Sequence, residues 1–333
     1  MKNTKILVTG ATGFIGTNLV RKLVAQGESV RILRRAWSNM LGLAGLPIEE
    51  HIGNLRDYDS LRKAVQGCNR VYHLAALLKI APFERERFQK TNVLGSENMA
   101  RAALQEGVEK MVYTSTIGSV GYGTKENPAT EETEFNLGHF KLPYIDTKRE
   151  GEDIILEYCK KGLPVVVVNP GYVFGPWDKR PGLNKFFEIA ERGRLWFYVG
   201  GGLSIVDVDD VVQGHLLAME KGRIGERYIL SNQNMTYKEF LSLVNEFLGK
   251  KPPKFKIPYL LLLILGYFGD GLGKLFRFNP QISSRIARFT KINHYVSSGK
   301  ARRELGFTNT PLAESFKKTF DWLKKYHILD GKK

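Results

Sequence analysis

The chain predicts an α/β fold: a doubly wound parallel sheet with a smaller C-terminal lobe over the sheet's carboxyl edge. Three observations lead there. Apolar strand-like runs alternate with amphipathic helix-like runs through the first half. A glycine-rich turn, "KILVTGATGFIG", stands between the first such strand and the first such helix. After Gly175-Pro176 the alternation gives way to aromatic, glycine and helical segments.

Taken in order, "KILVTG" is a continuous apolar strand, and 17–26 follows as a helix with Leu19, Val20, Leu23 and Val24 at helical spacing. Gly27 stops it, and "SVRIL" is the second strand. "IEEHIG", a helical "YDSLRKAVQG" and the strand "RVYHLAAL" come next, then a helix through "NVLGSENMARAALQEG" and the strand "KMVYTST". A helix opening at "LPYIDTK" runs to Gly162 and precedes "LPVVVVNPG". Strands this uniformly apolar belong to a parallel sheet covered on both faces. "GGLSIVDVDDVVQGHLLAM" reads as a strand and helix returning to the main body. The expected division is therefore 1–175 with 203–220 as the dinucleotide-binding domain, and 176–333 mainly as the substrate-binding lobe.

The 333 residues are 43% hydrophobic and 25% charged, values of a globular protein. Two cysteines are too few for a disulfide framework, so a reducing, cytoplasmic setting is expected. Six histidines without close pairing predict no metal site. The net charge of +16 is not interleaved with aromatics as in a nucleic-acid module. It is expected to attract anions, a dinucleotide among them, and no nucleic-acid partner is predicted. The first strand begins almost at once, so no signal or transit peptide is expected. The longest apolar run, "IPYLLLLILGYF" (257–268), is shorter than the roughly 18 to 20 residues of a bilayer span. It predicts a buried helix of the second lobe; its basic flanks keep peripheral membrane contact open as a second reading.

Gly10, Gly13 and Gly16 carry the first functional signal. Such glycines let the chain turn sharply and bring backbone N–H groups against a pyrophosphate at a helix N-terminus, the Rossmann-type arrangement. The second strand selects the cofactor. NAD binders usually end this strand with an acid on the ribose hydroxyls; here "SVRILRRAWSN" ends in Arg34 and Arg35. A guanidinium there suits a 2′-phosphate, which predicts NADP(H) in preference to NAD(H), with Ser38 as a further donor.

"TGATGFIG", "HLAA", "TNVLGSENM", "VYTST", "YIDTK" and "NPGYVFGP" occur in one order and spacing. In this the chain resembles the extended short-chain dehydrogenases/reductases of the NAD(P)-dependent epimerase/dehydratase superfamily. The likeness covers most of the chain and is nearest to the dihydroflavonol-reductase-like branch, which includes hopanoid-associated sugar epimerases. "GERYIL", "KARRELGF" and the closing Trp322 helix are similar to that branch too. The resemblance implies that Gly10, Thr12, Gly13, Phe14, Ile15 and Gly16 form the cofactor turn. It puts Asn54 and Leu55 beside the adenine, with Asn in place of the usual Asp. Ala75 and Ala76 are implied to let the cofactor lie close, Asn92 to stand near cofactor and active site, and Pro170, Gly171 and Val173 to flank the nicotinamide.

Tyr144 and Lys148, four residues apart, share one helical face. A phenol of pKa about 10 exchanges protons poorly at neutral pH, and a close ammonium favours its phenolate. Tyr144 is thus expected to pass a proton to or from a substrate oxygen, with Lys148 tuning it and holding the nicotinamide ribose. In "VYTSTIGSVG", aligning the family's glycine to Gly121 makes Thr116 the third catalytic hydroxyl, with Ser115 as the second candidate.

The predicted reaction is NADP(H)-dependent reduction of an aldehyde or ketone, or oxidation of the matching alcohol. The alternative is a sugar-nucleotide epimerase or dehydratase with bound NAD(P). In the resemblance those enzymes carry Arg-x-x-Asn-Val-Tyr-Gly-Pro; this chain has Asn169 for the arginine and Tyr172 for the asparagine, and Leu203 and Ser204 before "VDD". A diphosphate substrate wants such donors. A non-catalytic dinucleotide-sensing scaffold is a third reading, opposed by the presence of both Tyr144 and Lys148. Some of Trp177, Phe186, Phe187, Trp196, Phe197 and Tyr198 are expected to line an apolar substrate site, the majority to be core. Arg85, Arg87, Lys179 and Arg180 are candidates for an anionic substrate or simple surface charges. A homodimer is expected through the helix bearing Ile154, Ile155 and Leu156.

Overall fold

The computed structural model describes residues 4–78, 84–178, 182–276, 278–280 and 282–326. β1 (Lys5–Thr9) leads into α1 (Phe14–Ala25), followed by β2 (Ser29–Arg34) and β3 (Glu49–Ile52). α2 (Tyr58–Val65), β4 (Arg70–His73), the single turn α3 (Arg85–Phe88) and α4 (Leu94–Gln105) lead to β5 (Lys110–Thr114). α5 (Pro143–Lys160) and β6 (Val165–Pro170) complete the alternation. α1 starts three residues before the apolar spacing suggested, because Gly13, in extended backbone, caps it and Thr17 N–H already donates to Gly13 O at 2.8 Å.

Beyond Gly171 come β7 (Tyr172–Phe174), α6 (Asn184–Glu191), β8 (Phe197–Tyr198), β9 (Gly202–Asp207), α7 (Val208–Lys221) and β10 (Arg227–Leu230). β11 (Gln233–Thr236), α8 (Tyr237–Phe247), β12 (Phe255–Lys256), α9 (Tyr259–Leu275), α10 (Ser284–Phe289), α11 (Gly299–Leu305) and α12 (Leu312–Lys325) follow.

The main sheet has seven strands in the order β10-β6-β5-β4-β1-β2-β3, every pair parallel. Alternation along each strand feeds two cores. Ile6, Val8, Val112, Val166 and Val168 face α1 and α7, whose Leu19, Val20, Val211 and Val212 cover them. Leu7, Met111, Tyr113, Val165 and Val167 face the other way, toward Leu61, Met99, Ala103 and Ile155 of α2, α4 and α5. Each such buried aliphatic side chain contributes about 1.5–3 kcal/mol. Strand order reverses between β1 and β4, which opens a crevice at the carboxyl ends of these strands.

A third core joins β7, α6, α8 and α12 through Phe174, Phe187, Phe240, Phe316 and Leu323. β11, β9 and β7 form a separate three-stranded sheet. The 257–268 run departs from expectation. It forms the front of α9 but is not a buried helix: of α9 only Leu262, Gly266 and Gly273 are buried, while Leu260 and Phe268 are each 66% exposed. The helix packs on α10 by its glycines, which leaves its large side chains outward. No described helix is long and apolar enough to cross a membrane.

Candidate functional site

The glycine turn is built for close approach. Gly10 has φ +71°, and a Cβ there would lie 2.7 Å from Ala75 N. A Cβ on Gly16 would collide with Gly10 O, and one on Gly13 would come within 3.1 Å of the same atom. Gly13 N–H donates to Gly10 O at 2.9 Å, so the turn closes tightly ahead of α1. Thr12 and Ile15 are half-buried at its rim, Gly13 is exposed and Phe14 is buried beneath. Thr9 fixes the turn to β4: its hydroxyl accepts Ala75 N–H (3.2 Å) and pairs with His73 Nδ1 (2.7 Å). Full burial pushes His73 down to about pKa 3, so it stays neutral. A dinucleotide pyrophosphate fits this cradle, since its three glycines bring no side chain into it and the N-terminus of α1 opens there.

At the far end of the crevice, the two arginines behave differently. Arg34 Nε donates to Glu50 on neighbouring β3 at 2.5 Å, and Nη1 reaches Arg35 O (3.2 Å) and Ala36 O (3.1 Å). Arg35 is exposed, its guanidinium 5.7 Å from the Trp37 ring, with Ser38 Oγ accepting Arg35 N–H at 3.1 Å. Asn54 is exposed and accepts Arg56 N–H (3.0 Å); Leu55 is buried, its carbonyl held by Asn98 Nδ2 (3.0 Å). Ala75 is half-buried and Ala76 exposed just beyond β4.

Pro143 occupies the first turn of α5, which suits its fixed φ and missing N–H, and places half-buried Tyr144 and buried Lys148 on one face. Lys148 is 2% exposed; Nζ donates to Tyr113 Oη (3.0 Å) and Thr114 O (2.8 Å). Burial lowers its pKa to about 8, against the opposing pull of Tyr144 and Glu152. Tyr113 Oη is held in turn by Ser96 Oγ (3.1 Å), which donates to Asn92 O (2.6 Å). Asn92 lies in a π-helical turn, Gln89–Val93, rather than a regular helix. Its side chain accepts Leu77 N–H (2.7 Å) and donates to Leu77 O and Thr147 Oγ1 (both 3.2 Å), tying the loop after β4 to α5.

Of the two hydroxyl candidates, Ser115 is 6% exposed and paired with Ser119 Oγ at 3.0 Å. Thr116 is half-buried and accepts Gly118 N–H at 3.2 Å, which leaves its own proton free to donate. Gly171 approaches Ser204 O so closely that a Cβ would lie 2.5 Å away; buried Pro170 and half-buried Val173 flank it.

A model of the NAD dependent epimerase/dehydratase family matches residues 6–231, more than half of the chain. The chain belongs to this family. It is an NAD(P)-dependent enzyme of the extended short-chain dehydrogenase/reductase type. Sterol demethylase protein B of Methylococcus capsulatus is 36% identical, the alignment covering 96% of this chain and 98% of that protein. A putative dihydroflavonol 4-reductase of Synechocystis is 32% identical over 96% of this chain and 94% of the other. The crystal structure of gox2253, 32% identical, superposes with a TM-score of 0.85 over 98% of this chain and 99% of that one.

Against the family pattern, Asn169 does not open toward the crevice as a donor would. It is fully buried, and Nδ2 donates to Glu152 (2.9 Å) and Thr116 O (3.1 Å). Glu152, also fully buried, pairs with Arg227 at 3.2 Å. Tyr172 Oη meets His294 Nδ1 at 3.1 Å, and burial holds His294 near pKa 4, hence neutral.

Four of the six aromatic candidates are core or packed on it, in line with the expectation that the majority would be. Phe187 is core, Phe186 packs on Phe240, Tyr198 joins the same cluster, and Trp177 packs on Trp322 and Tyr326. Trp196 and Phe197 are exposed. The side chains clustered with Tyr144 are instead Tyr122, Phe135, Leu137, Phe140, Phe289 and Ile292. Arg85 bridges Glu150 and Asp146, and Arg87 bridges Glu84. Lys179 and Arg180 lie outside the described residues. Sequence reasoning missed Thr9, His73, Asn98, Glu152 and His294. A buried histidine in "VYHLAA" and a glutamate on the apolar side of α5 were available signals.

Proposed function

We propose that the enzyme reduces an apolar ketone or aldehyde with NADP(H), or oxidises the matching alcohol. The observation that carries this is the apolar and aromatic cluster packed around Tyr144, a lining that suits an apolar carbonyl better than a sugar diphosphate. Asn169 in place of the family arginine is consumed by Glu152 and Thr116, so it supports the same reading. The sugar-nucleotide epimerase reading keeps only the shared fold and catalytic set.

In this proposal the bound dinucleotide supplies or accepts the hydride. Gly10, Gly13 and Gly16 hold its pyrophosphate, Thr12, Phe14 and Ile15 its surroundings, and Asn54, Leu55, Ala75 and Ala76 the adenosine side. Arg34 is engaged by Glu50, so recognition of a 2′-phosphate falls chiefly to exposed Arg35 and half-buried Ser38. Tyr144 holds the proton exchanged with the substrate oxygen. Thr116, rather than Ser115, donates a second hydrogen bond to that oxygen, because its hydroxyl proton is uncommitted. Lys148 has three donors and uses two on Tyr113 and Thr114, which leaves one for the ribose. Asn92 positions α5, and Pro170, Gly171 and Val173 border the nicotinamide. Residues 1–175 and 203–220 serve the cofactor, and the rest shapes the substrate side. A homodimer through α5 completes the proposal, with half-buried Ile154 at the contact; Ile155 is not available for it, being buried in the sheet core with Leu156 packed against that core.

The test follows NADPH consumption over ketones, aldehydes and sugar nucleotides. Net NADPH oxidation with an apolar carbonyl is the expected result. Turnover of a sugar nucleotide with no net change in cofactor would install the epimerase reading instead.

A further inference from the structure

Helices of a globular lobe bury their large apolar residues and expose small or polar ones. α9 is the reverse. Its packed stripe is Leu262, Gly266, Gly269 and Gly273; a Cβ on Gly266 would lie 2.7 Å from Ser284 N, and one on Gly269 would strike Ile282 O. At 100° per residue, Leu260, Leu261, Ile264, Leu265, Phe268 and Leu275 fall in one arc on the opposite side, 43% to 72% exposed. The face extends for about 25 Å along the helix. β12, which leads into α9, pairs with β8, and there Trp196, Phe197 and Phe255 are each more than half exposed, with Phe197 and Phe255 in ring contact at 5.7 Å.

Charge says what covers it. Residues 250–291 contain nine Lys or Arg and one acid, Asp270. That acid faces into the hairpin, accepting Ser284 N–H (3.1 Å) and Oγ–H (2.6 Å). The bases border the apolar face: Lys291 Nζ lies 4.0 Å from the Tyr259 ring, and Arg288 donates to Tyr267 Oη at 2.6 Å. A second copy docked by this face would bring one basic rim against another. An anionic surface would be attracted.

We propose that the α9–α10 hairpin docks the enzyme on an anionic bilayer, α9 lying in the interface plane with Leu260, Ile264 and Phe268 among the acyl chains. The same hairpin borders the candidate site. Phe289 of α10 packs edge-on against Phe140 (5.4 Å) in the cluster containing Tyr144, and Asn279 donates to Glu84 (2.7 Å) beside α3. The docked face thus lies next to the substrate region, and the carbonyl substrate is a membrane-dissolved lipid. That last step rests on the oxidoreductase reading; the docking does not.

The experiment is flotation of the full chain with vesicles of phosphatidylcholine alone or of equimolar phosphatidylcholine and phosphatidylglycerol. Binding to the anionic vesicles, weaker at high salt and roughly tenfold or more weaker without phosphatidylglycerol, is expected. Ile264→Glu/Phe268→Glu, at exposed positions, should reduce it by roughly tenfold or more while melting and NADPH affinity stay unchanged. Failure of the wild type to float, equal binding by the variant, or a dimer that the variant dissolves without any vesicle binding would each overturn the proposal. Vesicle binding without turnover of any carbonyl would leave the docking standing and remove the substrate assignment.

Discussion

Gly151→Ala separates local helix preference from the packing that holds Lys148. In an exposed helix, alanine for glycine gains about 1 kcal/mol. Here the new Cβ would lie 2.7 Å from Asn92 O, 3.0 Å from Tyr113 Oη and 3.2 Å from Ser96 Oγ. Asn92 O is backbone and cannot rotate aside, so α5 must move off the π-helical turn. Overpacking of this kind costs about 1–3 kcal/mol. The packing effect exceeds the propensity gain, for a net loss of about 1 kcal/mol and a melting temperature lower by a few degrees. Tyr113 and Ser96 are also the atoms that fix Lys148, so turnover should fall more than stability does. Gly271→Ala on α9 is the control: nothing lies within 4 Å of its Cβ, so it should be neutral or stabilising. A Gly151→Ala enzyme that melts at or above the wild type with unchanged turnover would refute the reasoning.

Glu152→Ala leaves Arg227 and Asn169 without their buried acceptor. Removing one partner of such a pair costs roughly 3 kcal/mol, measurable by urea unfolding, and a loss under about 1 would contradict the pairing. Arg35→Ala should raise the Kd for NADPH roughly tenfold to a hundredfold and leave NADH unaffected, read by titration; equal effects on both would remove Arg35 from the 2′-phosphate. Lys148 has a folded pKa of about 8, lowered from 10.5 mainly by burial. Between these values the unfolded chain binds more protons, so this residue's contribution to stability rises with pH through that window. Activity that needs the ammonium falls over the same range, and Lys148→Met should remove both slopes.

The strand-helix alternation and the glycine turn were legible because backbone constraints dictate residue type: only glycine fits at 10 and 16. Tyr144 and Lys148 were legible as a pair because four residues make one helical turn. Glu50 beside Arg34 was not, since the two meet across parallel strands sixteen residues apart. The aromatic cluster around Tyr144 comes from 3₁₀ turns and α10, and no local periodicity links Phe140 with Phe289. α9 was misjudged for a different reason. Its hydrophobicity was plain, but burial depended on which side packed, and the glycines at 266, 269 and 273 held that information.

The proposed reductase chemistry depends most directly on Tyr144 as the proton-exchanging group. Wild type and Tyr144→Phe should be compared for NADPH affinity and for NADPH oxidation with an apolar ketone. The account predicts unchanged affinity and turnover lower by about 10² to 10⁴ in the variant. Near-normal turnover by Tyr144→Phe, with NADPH still bound, would contradict it.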